Sequence, residues 1–126
     1  ICAPTPSQYA ALAAFDPDTI AILEERRAEL QLRRDALLAA LPQIGFAVRA
    51  VPDGAFYIYC DVSGLTDDSF AFAARILEDA HVAITPGRDF GFAAPHHHIR
   101  IAYTQPIPRL NEAVARIARV IDALSD

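Results

Sequence analysis

The sequence contains no lysine; all 11 of its basic residues are arginine. A step that needs a lysine amine, a Schiff base above all, is therefore excluded on this chain alone. Methionine is absent too, and the chain opens on Ile1, which reads as a piece cut from a longer protein. No apolar run approaches the ~20 residues a membrane-spanning helix needs. No charged start followed by an apolar stretch marks a signal peptide. Basic clusters are missing, and the net charge of -5 argues against nucleic acid as a partner. Cysteine is scarce. Cys2 and Cys60 lie far apart, so a disulfide is possible, but a reducing cytoplasm is the simpler expectation. Nucleophile elbow, Walker loop, dinucleotide glycine fingerprint and zincin helix are all absent.

What remains is ordinary globular material: 126 residues, 53% hydrophobic and 21% charged, enough for one domain with a real core. Apolar spacing predicts a short helix over 7–15, with Ser7 as a possible cap, and a long one over 17–41. In the long helix Ile20, Leu23, Leu30, Leu37 and Leu41 form one stripe, and Pro42 and Gly45 end it. Segments 46–51 and 55–62 read as two strands of an antiparallel hairpin turned at Pro52-Asp53-Gly54. Phe56, Ile58, Cys60 and Val62 share one face of the second strand; Tyr57, Tyr59 and Asp61 share the other. A helix over 68–80, capped by Thr66 or Asp67, should bury Phe70, Ala73, Ala74 and Leu77. A short strand over 82–85 stops at Pro86-Gly87, and 88–97 is a loop. The last helix, with Pro108 in its first turn, carries Leu110, Val114, Ile117, Ile121 and Leu124 at helical spacing. This order predicts an α+β fold: a two-layer sandwich of a small, mostly antiparallel sheet with helices on one face.

The run His98-Ile99-Arg100-Ile101-Ala102-Tyr103 alternates as a half-buried strand does. Ile99, Ile101 and Tyr103 share one face, and His98, Arg100 and Ala102 the other. An arginine in such apolar sequence should be paired, and its planar fork suits a carboxylate. Two partners are open: an internal one, Asp61 or Asp89, or the carboxylate of a ligand on an open sheet face. His96-His97-His98 is tempting as a metal site, but three adjacent histidines cannot all point one way, and no carboxylate or cysteine stands at zinc-like spacing. A His-rich loop end is the expectation, and no metal. Tyr57 and Tyr59 read first as sheet-packing residues.

Three sets of residues, taken in order, resemble the C-terminal part of class I/II aminotransferases, the fold-type-I enzymes that depend on pyridoxal phosphate. They are Pro52-Asp53-Gly54-Ala55-Phe56-Tyr57, then Thr85-Pro86-Gly87 with Phe90-Gly91, then Ile99-Arg100-Ile101-Ala102-Tyr103. Ala3-Pro4-Thr5-Pro6-Ser7-Gln8 also resembles the stretch after that family's cofactor lysine. The resemblance implies that residues 1–15 are the remnant joining a large cofactor domain, and that 16–126 are the small C-terminal domain. It implies that Arg100 binds the substrate α-carboxylate, with Gly54, Phe56 and Tyr57 as second-line substrate contacts. It places the Schiff-base lysine and the cofactor-binding residues before this segment, so neither catalytic nor cofactor-binding residues are expected here. The implied activity is amino transfer between an α-amino acid and a 2-oxo acid, in a cytoplasmic homodimer, with the isolated fragment inactive. The alternative is an autonomous α+β module that binds an amino acid or serves as a regulatory or dimerisation domain.

Overall fold

The computed structural model describes residues 2–125. It divides into two compact units, Ile1–Gln31 and Leu32–Asp126. In the first, helix α1 spans Thr5–Leu12 and starts two residues earlier than expected. Pro4 stands at its cap and Ser7 lies inside it, making no capping bond. Pro6 supplies the start instead, since a first-turn proline has its φ pre-set for a helix and its missing N–H goes unused. A 3-10 turn follows at Ala13–Phe15. Helix α2 spans Pro17–Ala40. The expected α2 stripe is only partly covered: Ile20 and Leu23 are 46% and 47% exposed, whereas Leu37 and Leu41 are fully buried.

In the second unit α2 ends through a 3-10 turn, Leu41–Ile44, and Gly45 at φ 84°. That left-handed backbone costs a glycine little. The chain turns Phe46 straight into the core. The expected hairpin is reduced to a single antiparallel bridge, Ala47 to Asp61. Each N–H donates to the other carbonyl, at 2.9 and 2.8 Å. The chain then leaves the ladder, and Ala55, at φ 61°, cannot continue a strand.

The sheet has three strands in the order β1-β3-β2: β1 Tyr57–Asp61, β2 Thr85–Pro86 and β3 His98–Ala102. Both pairings are antiparallel, with Tyr59 opposite Arg100 and Thr85 opposite Arg100 from the other side. Of the strand expected over 82–85 only Thr85 pairs with β3, and Pro86, expected to stop the strand, is its second residue.

Helix α3 spans Ser69–Arg75, and a π-helical turn, Ile76–Ala80, extends it. Its cap is Asp68, not Thr66 or Asp67: one carboxylate oxygen accepts from the N–H groups of Phe70 and Ala71, at 3.0 and 3.1 Å. The buried face is Ser69, Phe72, Ala73, Ile76 and Ala80. Of the residues expected inside, only Ala73 is buried; Phe70 and Leu77 are about half exposed and Ala74 is exposed too. Helix α4 spans Ile107–Ser125 and buries Leu110, Ile117 and Ile121 of its expected stripe, with Val114 half-buried and Leu124 42% exposed. Ile58, Cys60 and Ile99 from the sheet are buried together with Leu37, Phe72, Ile76, Leu110 and Ile117 from the helical layer, which gives the two-layer α+β arrangement. Arg33 and Arg34, near the end of α2, donate to the carbonyls of Thr104 and Pro52, at 2.6 and 2.9 Å.

Both cysteines are free, Cys2 exposed and Cys60 buried. Burial pushes the Cys60 thiol up to about 12. At pH 8 its thiolate fraction is then on the order of one in ten thousand. Ellman's reagent at pH 8 should therefore titrate one thiol rapidly and the second only after denaturant is added. Two fast thiols in the native protein would contradict the buried position of Cys60.

Candidate functional site

Strand alternation places Tyr57, Tyr59, His98 and Arg100 on the face turned away from Ile58, Cys60 and Ile99. Tyr57 and Tyr59 are exposed, and His98 and Arg100 are half-buried. The internal partners that the sequence left open for Arg100 are not used. Asp61 is held by Arg49, whose Nε and Nη2 lie 3.1 and 3.0 Å from the same oxygen. The Ser63 hydroxyl and amide, then Arg49, hold the Asp61 carboxyl well below the usual carboxylate range. Arg100 makes no ion pair with Asp89 or any other carboxylate among the described residues.

Aromatic rings flank it instead. The guanidinium carbon lies 4.4 Å from the Phe90 ring centre and 5.3 Å from that of Tyr57, inside the range of cation–π attraction. The Phe90 ring meets Tyr59 edge-on at 6.2 Å. Tyr59 stacks flat on His98, with ring centres 5.0 Å apart and planes 2° from parallel. The His98 Nδ1–H donates to the Ala94 carbonyl at 2.9 Å. Burial raises the Tyr59 phenol, which keeps it a neutral hydroxyl.

Glycine is required where the loop meets this cluster. A Cβ on Gly87 would lie 2.6 Å from the Pro95 carbonyl oxygen, 2.7 Å from the Tyr59 hydroxyl and 2.8 Å from the His98 carbonyl oxygen. Ser69, buried at the start of α3, donates to the Pro95 carbonyl at 3.0 Å. The loop is thereby fastened to both α3 and β3.

The remaining sequence-derived candidates are placed as follows. Tyr57 lies within cation–π range of Arg100. Phe56 lies edge-on to Tyr57 at 5.7 Å and is 48% exposed. Gly54 stands in open space, and its carbonyl accepts from the Tyr103 hydroxyl at 3.2 Å; it supports the loop rather than touching Arg100. The histidine run is divided: His97 Nε2 lies 3.2 Å from an Asp67 oxygen, and His98 belongs to the aromatic cluster. No group of metal-ligating side chains forms among the described residues. Phe90 is the contact that alternation could not find, because it lies in the loop. Its signal was the Phe90-Gly91 pair after Pro86-Gly87. A separate cleft of about 440 Å³, lined by Leu37, Ile84, Ile101, Leu110 and Ile117 among others, does not include Arg100.

Fold and site together define a small α+β domain whose open sheet face carries a guanidinium bracketed by rings and, among the described residues, without a carboxylate partner. Residues 1–117 match the family described as aminotransferase class I and II, and the chain belongs to that family. The valine–pyruvate aminotransferase of Mycobacterium tuberculosis is 43% identical over 117 residues, 93% of this chain and 30% of that protein. An LL-diaminopimelate aminotransferase of Nitratidesulfovibrio vulgaris is 41% identical over 76% of this chain and 24% of its own length. The crystal structure of an aminotransferase from M. tuberculosis superposes with TM-score 0.89 at 41% identity, over 97% of this chain and 32% of that one. An alanine aminotransferase from Pyrococcus furiosus superposes with TM-score 0.85 at 32% identity, over 97% and 31%. The chain thus spans about a third of the length of the relatives it matches.

Proposed function

We propose that this chain works as the C-terminal, substrate-clamping part of a pyridoxal-phosphate-dependent amino acid aminotransferase, with Arg100 receiving the α-carboxylate of the amino acid. The observation that carries this reading is Arg100 itself, half-buried among rings and, among the described residues, without a carboxylate partner. A charge in that setting gains most from a carboxylate that arrives from outside and takes two parallel hydrogen bonds. Tyr57 borders the clamp, with Phe56 beside it; Gly54 supports the strand entry.

The residues of this chain do not by themselves fit the cofactor. No lysine is present for its covalent anchor, and the one cationic group in the open-face cluster is shaped for a carboxylate. Cofactor attachment and proton transfer at the α-carbon therefore fall to residues outside this chain, supplied by a large domain and, in a homodimer, by a second subunit. Arg100 breaks no bond. It orients the amino acid so that the reacting α C–H stands where those groups can reach it. In this reading residues 1–15 join the two domains, residues 16–126 form the small one, and the assembled enzyme is cytoplasmic.

The test is made on the full-length protein. It should bind pyridoxal phosphate with the visible absorbance of a lysine Schiff base. With L-valine, L-aspartate or L-alanine it should transfer the amino group to a 2-oxo acid. The 126-residue chain alone should do neither. Full-length protein that neither binds the cofactor nor transaminates any donor would favour a binding or regulatory module.

A further inference from the structure

We infer that Phe90 is a positioning residue for the carboxylate clamp, acting only through Arg100, an inference that rests on the reading of Arg100 given above. An arginine side chain is long and rotamer-rich, so a guanidinium with no acid partner would spread over many orientations. Here, among the described residues, it is held without one. Phe90 and Tyr57 contact it from two different elements, the loop after β2 and strand β1, at 4.4 and 5.3 Å. Their ring faces attract the cation. They offer it no carboxylate oxygen, so its N–H donors stay available for a carboxylate from outside.

Phe90 is the better supported of the two rings. Its N–H donates to the Gly87 carbonyl at 2.9 Å, which fixes where its backbone leaves the 3-10 turn. Tyr59 meets its ring, and His98 backs Tyr59. Pro95, behind the loop, is tied to Ser69. Phe90 itself is 43% exposed, so core packing alone does not account for this bracing. What the bracing does hold is the ring against the guanidinium.

The experiment uses the full-length enzyme and steady-state kinetics with the best amino-acid donor of the screen. F90L, which keeps an apolar side chain but has no ring face, should lower kcat/KM about three- to thirtyfold, mostly through a raised KM. It should weaken competitive inhibition by 3-methylbutanoate, a carboxylate without an amino group, by a similar factor. F90Y should stay within about twofold of wild type. In the R100A background F90L should have almost no further effect, since residues acting through one group are non-additive.

Wild-type kinetics for F90L beside a crippled R100A would overturn the inference and leave the role of Arg100 standing. So would F90Y as impaired as F90L, or a full F90L loss on top of R100A. An unimpaired R100A would overturn both. If F90L melts far below wild type, F90Y and the double-variant comparison decide the matter.

Discussion

Replacing Arg100 with alanine in the full-length enzyme is expected to lower kcat/KM for the amino-acid donor by roughly a hundred- to a thousandfold. The size follows from the bond lost. A two-point, charge-assisted contact between guanidinium and carboxylate, truncated on one side, costs about 2–5 kcal/mol, and each 1.4 kcal/mol is tenfold. KM should rise, because the carboxylate loses its anchor. kcat should fall as well, because an unanchored substrate presents its α C–H bond poorly. Arg100→Lys should recover only part of the loss, since an ammonium keeps the charge but has no planar fork. The fold should hardly notice: Arg100 is half-buried and bonds to no carboxylate among the described residues. A melting temperature close to wild type together with a collapsed kcat/KM is the expected pair of results. Unchanged kcat/KM would sink the assignment.

Phe46→Ala should be the most damaging single change to stability. Phe46 is fully buried, and its ring meets Phe72 of α3 edge-on at 6.1 Å. Its N–H donates to the Leu41 carbonyl at 3.1 Å, so the side chain enters the core directly from the end of α2. Truncating a buried phenylalanine costs about 3–5 kcal/mol, part lost transfer energy and part the cavity left behind. Domains of this size hold only about 5–15 kcal/mol in all. Equilibrium denaturation should show the midpoint falling with little change in slope. A loss under about 1 kcal/mol would mean that the site collapses around the gap, and that Phe46 and Phe72 are not the joint they resemble.

Much of this was legible in the sequence, and the failures have physical reasons. β3 and α4 could be read directly because each has one apolar face and one polar face, so period alone fixes which way the side chains point. α3 could not. Phe70, Phe72, Ala73, Ala74, Ile76 and Leu77 spread over more than half of that helix's circumference. Two overlapping stripes fit it equally well, and packing against Phe46 selects the one containing Phe72. The hairpin over 46–62 failed for another reason. Turn residues at 52–54 mark where a chain reverses, but not whether the two arms pair. Gly45 aims Phe46 inward, and Ala55 takes the left-handed backbone, so one bridge is all that forms. At the site, alternation found Arg100, Tyr57, Tyr59 and His98. It could not find Phe90, whose position is set by a loop.

Arg100 lies on the middle strand, hydrogen-bonded through its neighbours to β1 and β2 at once. A one-residue insertion or deletion within 98–102 would break both ladders and exchange the faces, turning the cation inward and an isoleucine outward. Among descendants of this sequence, length changes should therefore be purged from that strand. The exposed stretch 91–93, between the anchors at Phe90 and Ala94, can lengthen or shorten and still leave the Arg100 cluster intact. The molecule is thus rigid in reading frame around Arg100 and free in length a few residues away, which is where loop length can vary without refolding the domain.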